Sequence, residues 1–380
     1  MHEHKHNQCK RKVKHRKNVM KLIIFCITVG ISLMFIYYQN LRKEIDARQK
    51  WLETVLTGEK KWILENQGPE GEFYMNGSKA GDVNPYFACM AALGLLAETK
   101  NCPITETEKK AVGRYLDWHT GILLETDGKM GIYRKESGKL IYKEKADSED
   151  GYLGMYLFLM GKYLEKTESR DLPEYWKKGI SLALKKIQSL MQDGITQVSE
   201  ENTTVYLMDN LEVWKGLYEL EHAGLKDVQA IREMRNKLQA QIEKLFWDDA
   251  NQRWRIIENS NLYHQKEFYP DGVAQIYPLI YEFPVKEKKK QKILYKQFTE
   301  RFQWQKLTKK RNGFLWAMTG MAAAQMGDIN NLLEMIRNYE AEYCENRKYP
   351  LYTGEAGWIC MECEKLYSLY ERKIKTGFLV

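Results

Sequence analysis

The sequence predicts an all-α protein: an (α/α)6 toroid of six helical hairpins, preceded by one transmembrane helix. Three observations carry that prediction. From residue 51 onward the apolar residues recur with a helical period almost without interruption. The helices so marked alternate in kind. Some are one-sided and rich in Lys and Glu, such as EKKAVGRYLDW; others are apolar on nearly every face, such as FACMAALGLLAE and YLGMYLFLMGKYL. Ahead of them, Leu22 to Tyr38 reads LIIFCITVGISLMFIYY without one charge.

That apolar run is at the short end of the roughly 17–25 residues needed to cross a bilayer. A basic tail, residues 1–21, precedes it and carries most of the formal net charge of +8. The heavier basic flank belongs in the cytoplasm, which places the C-terminal bulk outside a cell membrane crossed once. The run ends in Tyr-Tyr-Gln-Asn rather than in small residues, as an uncleaved signal anchor does. Residues 22–38 are therefore expected as the span, 39–50 as a juxtamembrane linker and 51–380 as the extracytoplasmic domain. That domain is close to neutral, which argues against nucleic acid as its partner. The tail suits anionic lipid headgroups, and its His2, His4, His6 and His15 read as a solvated polar terminus.

The helices fall into six pairs. The first is 51–66 and 84–99, joined by PEGEFYMNGSKAGDVNP; the second is 105–122 and 151–166, joined by TDGKMGIYRKESGKLIYKEKADSED. The third, 173–192 and 210–223, uses QDGITQVSEENTTVYLMDN, and the fourth, 227–247 and 272–283, uses NQRWRIIENSNLYHQKEFYPD. WQKLTKKRNGFLWAMTG joins 286–303 to 317–326, and ENRKYPLYTGEAG joins 329–345 to 356–373. Links between pairs are short and polar, such as TKNCPITE and EFPVKEK. Each one-sided helix would form part of an outer layer and each fully apolar one part of an inner layer. The long links would then collect at one end of the ring, where binding residues concentrate.

An acid stands where most long links enter an inner helix: Asp82, Asp150, Asp209, Asp271 and, in the sixth pair, Glu355. Each alone suits an N-cap at the positive end of a helix dipole. Together on one funnel end, beside Tyr and Trp, they suit a site. An acid half-buried against Tyr74, Tyr86 or Phe268 would have its pKa raised by desolvation. Trp214, Trp254, Trp316, Tyr352 and Trp358 are candidate platforms for sugar faces.

Nothing points to a cofactor or a metal. There is no phosphate-cradling Gly-rich loop after a strand and no HExxH, and His119, His222 and His264 read as surface or helix-end residues. CMEC at 360–363 puts two cysteines at i and i+3 on an apolar helix, where they serve as small buried hydrophobes. Cys89 and Cys102 are spaced to close a small loop, leaving both a disulfide and two thiols open.

Three short stretches resemble the (α/α)6-barrel glycosidases, and within them glycoside hydrolase family 8, over roughly residues 51–375. Asp82-Val-Asn-Pro-Tyr86 resembles that family's general-acid stretch, with Asp in place of Glu; Glu72 in GEFYMNG is the alternative acid. Ala146-Asp147-Ser148-Glu149-Asp150-Gly151-Tyr152 resembles its second signature, which implies that Asp150 lies beneath the sugar at the cleavage point. Phe268-Tyr269-Pro270-Asp271-Gly272 resembles its third, which implies that Asp271 is the catalytic base, although the Arg that follows in the family is absent. By this resemblance the catalytic set is Asp82, Glu72, Asp150 and Asp271, with Tyr74, Tyr86, Tyr152, Asp209, Tyr269 and Glu355 around the substrate.

The expected function is a membrane-anchored, extracytoplasmic glycoside hydrolase that cleaves a polysaccharide, β-linked and with inversion, by a carboxylate pair. The alternative is a catalytically inactive glycan-binding or scaffold protein of a surface-polysaccharide synthase or export complex.

Overall fold

The structure is a computed structural model that describes residues 2–77, 81–136, 139–169, 171–260, 262–264, 266–307, 311 and 313–376. The side chains of residues 1–17 lie outside the described part, and with them the histidines of the tail. The described residues contain twelve α-helices: α1 (His2–Glu65), α2 (Pro85–Leu95), α3 (Glu106–Glu125), α4 (Glu149–Thr167), α5 (Glu174–Leu190), α6 (Leu207–His222), α7 (Gln229–Phe246), α8 (Val273–Ile280), α9 (Lys288–Phe302), α10 (Thr319–Met326), α11 (Ile329–Tyr339) and α12 (Thr353–Thr376).

The chain divides into two compact units, Met1–Leu52 with Arg372–Val380, and Glu53–Glu371. The first contains the one described helical stretch long and apolar enough to cross a membrane, and its residues Leu22 to Tyr37 are exposed. That is compatible with a single-pass anchor. Residues 39–50, expected as a linker, continue α1 without a break.

The second unit is the six-hairpin toroid. Outer helices bury one stripe: α5 buries Trp176, Ile180, Ala183, Ile187 and Leu190, and α7 buries Ile231, Leu238, Ile242 and Phe246. Inner helices have no free face; α4 buries every residue from Asp150 to Gly161. Neighbouring inner helices pack in sequence, α2 on α4, α4 on α6, α6 on α8 and α8 on α10. The ring closes where Gly320 of α10 faces Glu362 of α12 and where Gly357 of α12 faces α2. Glycine sets these approaches. A Cβ on Gly154 would lie 2.7 Å from the Val213 amide nitrogen, and one on Gly357 would lie 2.1 Å from the Met90 carbonyl oxygen.

At the C-terminal ends of the inner helices, ion pairs run around the ring. Lys162 meets Glu219 (3.5 Å), Lys215 meets Glu219 (2.7 Å) and Glu282 (2.8 Å), and Lys365 also meets Glu282 (2.6 Å). Gln325 of α10 donates to Glu282 (2.6 Å), and Lys166 pairs with Glu98 (2.7 Å) and Glu364 (3.3 Å). This end of the toroid is tied by charge.

The long links hold short strands that the helical period does not announce. β1 (Asp82–Val83), β2 (Gly131–Glu136) and β3 (Lys139–Lys145) form an antiparallel sheet in that order. β4 (Met191–Gln192) pairs with β5 (Ile195–Thr196), and β6 (Trp247–Asp248) with β7 (Arg253–Trp254). β3 is exposed on both faces at most positions, which removes the apolar alternation by which a strand is recognised.

One open alternative is decided here and one expectation is corrected. Cys89 and Cys102 are both free thiols: Cys89 faces Tyr115 (3.5 Å) and His119 (3.6 Å), while Cys102 faces Thr57. His119 is no surface residue but fully buried, accepting from or donating to Tyr115 at 3.1 Å, and burial drives its pKa down to about 3.

Candidate active site

At the N-terminal ends of the inner helices, local capping sets the side chains. Asn84 caps α2 by accepting the Tyr86 amide (2.9 Å), and Ser148 caps α4 by accepting the Gly151 amide (3.2 Å). The first turns of α4 and α6 bring three carboxyls together: Asp150, Asp209 and Glu212. The Cα of Gly151 separates two of them, since a Cβ there would lie 2.7 Å from Glu212 Oε2 and 3.7 Å from Asp209 Oδ1. A larger residue at 151 would fill the space between the acids.

Asp150 is fully buried and saturated. Its Oδ1 accepts from Ser148 Oγ (2.8 Å) and the Gly151 amide (3.0 Å), and its Oδ2 from Thr196 Oγ1 (2.7 Å). Burial still lifts its pKa to about 6. Glu212 is equally deep. Its Oε1 accepts from Tyr277 (2.6 Å), Tyr281 (3.3 Å) and Tyr86, and burial lifts its pKa to about 7. Asp209 differs in being only half-buried. Its pKa is pushed well above the usual carboxylate range, first by desolvation and then by the charges of Asp150 and Glu212. Like charges this close do not all ionise, and desolvation together with two acidic neighbours pushes Asp209 toward its protonated form.

A continuous aromatic belt borders these acids. Tyr152 and Tyr86 lie 5.5 Å apart between centroids, Tyr86 and Phe87 5.4 Å, Phe87 and Phe314 5.3 Å, Phe314 and Trp316 6.1 Å, and Trp316 and Tyr269 4.7 Å. Tyr352 joins at Phe314 (5.5 Å). Tyr269 is 40% exposed, and burial together with Asp209 and Glu212 pushes its hydroxyl up to about 12. Asp147 is exposed, and its charge acts on Asp209, Tyr152 and Tyr269.

The other expected residues are placed differently. Asp82 sits on β1 between Arg134 (2.9 Å) and Lys143 (2.7 Å); burial raises its pKa, but those two hydrogen bonds outweigh it and leave the group below its ordinary value. Glu72 is buried within its own loop, accepting from Tyr74 (2.9 Å) and the Glu70 amide (3.0 Å). Tyr74 is buried with it. Asp271 is buried and its Oδ1 accepts the His264 amide (2.7 Å). Trp214, Trp254 and Trp358 lie in the core; Trp214 donates to Gln239 (3.3 Å) and Trp254 to Gln291 (2.9 Å). Glu355 accepts three consecutive amides, and burial brings its pKa to about 7 against their pull.

Glu212, Tyr277 and Tyr281 were not anticipated. The signal was present in MDNLEVW: a Glu one turn after Asp209, flanked by Leu211 and Val213 on a mostly buried helix.

No protein-family model matches the chain, and no curated protein matches its sequence. Solved structures do match its fold. A glycosidase aligns over 88% of this chain and 98% of its own, with a TM-score of 0.58 and 12% identity. A β-1,3-1,4-glucanase from Paenibacillus sp. X4 aligns over 85% and 93%, with a TM-score of 0.51 and 13% identity. A D-mannose isomerase aligns over 84% and 97%, with a TM-score of 0.55 and 11% identity. What the chain shares with them is the fold, an (α/α)6 toroid.

Proposed function

We propose that this protein is a membrane-anchored glycoside hydrolase whose catalytic toroid lies outside the cell, cleaving a β-linked polysaccharide with inversion. The observation that carries the reading is Asp209: a part-buried carboxyl whose pKa is pushed up by desolvation and by two neighbouring acids, beside a belt of aromatic rings. Such a group can donate a proton to a departing glycosidic oxygen at neutral pH. Asp150 and Glu212, sealed by hydroxyl and amide donors, supply the charge that holds that proton in place. Asp147, which is exposed, is assigned the water-activating role. Trp316, Tyr269, Tyr86 and Tyr352 offer the flat faces on which sugar rings stack. The solved glucanase and a glycosidase variant in complex with glucose are similar in fold, which agrees with a carbohydrate substrate.

The exposed apolar stretch of α1 and the basic residues before it support anchoring with the N-terminus in the cytoplasm. A polysaccharide synthase or export complex in the same membrane is the partner that such anchoring would suit.

The test is the purified full chain in detergent, offered β-glucans, xylan and chitosan, with reducing ends and the anomeric form of the product followed. Release that Asp209→Asn leaves intact would remove this mechanism.

One observation favours the non-catalytic reading, a glycan-binding or scaffold protein. At two positions where the family resemblance implies the acid and the base, Asp82 is neutralised by two cations and Asp271 is spent on a backbone amide. Oligosaccharide binding without any bond cleavage by the wild type would establish it.

A further inference from the structure

The belt's Trp316 lies on the link between α9 and α10, and its backbone is unusual. Its φ is +60°, in the left-handed region that a large side chain rarely adopts. Three successive amides around it point to one carboxylate: Leu315 N (3.2 Å) and Trp316 N (3.1 Å) to Glu355 Oε1, and Ala317 N (2.8 Å) to Glu355 Oε2. Glu355 lies in the first turn of α12 and is buried, so both of its oxygens are spent on this link. The indole is then set by its own bonds: Nε1 donates to the Arg311 carbonyl (2.9 Å), and the ring meets Tyr269 at 4.7 Å.

We infer that Glu355 is a positioning residue: its carboxylate gathers the amides of residues 315–317, holds Trp316 in its left-handed turn, and so presents the indole beside Tyr269 as a sugar platform. The acid therefore acts on substrate only through the tryptophan. The platform's role rests on the glycosidase reading above, but the clamp itself does not. A nest of backbone N–H groups is met best by a carboxyl group, which offers two acceptor oxygens. An amide side chain would turn one donor toward a donor, since Gln keeps one acceptor oxygen and gains an NH2.

The experiment uses the full chain in detergent, with Glu355→Gln and Glu355→Asp compared to wild type. Hydrogen exchange at the amides of 315–317 is read first, with circular dichroism to confirm that each variant is folded. Exchange at these amides should accelerate at least tenfold in Glu355→Gln and recover in part in Glu355→Asp, while the core of α4 is unchanged. Unchanged exchange at 315–317 in a folded Glu355→Gln protein overturns the clamp. The second reading is turnover of a mixed-linkage β-1,3-1,4-glucan. KM should rise by about the same factor in Glu355→Gln as in Trp316→Ala, with kcat little altered, and the double variant should be no worse than Trp316→Ala. Additive losses overturn the route through Trp316. If the wild type cleaves no polysaccharide, the hydrolase reading fails, and the exchange result still decides the clamp.

Discussion

Tyr277 of α8 donates its hydroxyl to Glu212 of α6 across 2.6 Å, and Tyr86 of α2 and Tyr281 just beyond α8 converge on the same oxygen. Three inner elements thus meet at one buried acid. Removing the Tyr277 hydroxyl leaves that oxygen short of a donor in a dry place. Tyr277→Phe should lower stability by about 1–3 kcal/mol. Urea denaturation of the full chain checks this, and a midpoint equal to wild type would mean that Tyr86 and Tyr281 suffice.

Asp209 is the half-open member of the carboxyl group. Asp209→Asn should lower kcat by ~10²–10⁴ while leaving KM nearly as it is, because the amide retains the shape but not the proton. Steady-state kinetics on any polymer the wild type cleaves reads both parameters.

Stability should peak in mild acid. Asp150, Glu212 and Glu355 have pKa values raised to about 6, 7 and 7. Their folded forms hold protons that the unfolded chain releases, so the fold loses stability as pH climbs from roughly 4 to 7. Glu282 acts in the opposite sense. Burial raises its pKa, but Lys215 and Lys365 overcome this and bring it to about 2. The stabilisation it gives is present above its unfolded value and is lost as pH falls from roughly 4.5 toward 2. The melting temperature should therefore be highest near about pH 4–5. Glu282→Gln should flatten the acid limb alone.

Gly154 allows α4 and α6 to touch backbone to backbone. In Gly154→Ala the new Cβ would meet the Val213 amide nitrogen at 2.7 Å, and neither helix can yield without moving its carboxyls. A loss of about 1–3 kcal/mol is expected, together with weaker turnover. Thermal melts and activity measured on one preparation test both.

Tyr269 is the most open ring near Asp209. Tyr269→Ala should raise KM about tenfold, some 1.4 kcal/mol, with no change in the melting temperature. An unchanged KM would remove the belt from substrate binding.

The helices themselves were legible. The expected 151–166, 173–192 and 227–247 lie within a few residues of α4, α5 and α7, because a buried stripe or a fully buried helix prints its period directly on the chain. The long apolar stretch of α1 was legible for the same reason, as a property of consecutive residues. The strands of the long links were not, since Lys and Glu occupy both faces of β3. Acids at inner-helix starts were also visible as a group. Their individual fates were not. Asp150 and Asp209 face one another's helices, whereas Asp82 meets Arg134 and Lys143 from a hairpin that sequence reading treats as loop.

Period, length and the order of long and short links are local quantities, and from them the chain alone dictates twelve helices and their two layers. Proton affinity is not local. Whether an acid keeps its proton depends on which oxygens, hydroxyls and amides surround it at 3 Å, and those come from elements tens to hundreds of residues away, as Tyr86 and Tyr277 do at Glu212. Only packing to backbone contact, through Gly154 and Gly216, brings Asp209 and Glu212 against α4 and makes one of five similar acids chemically different from the rest.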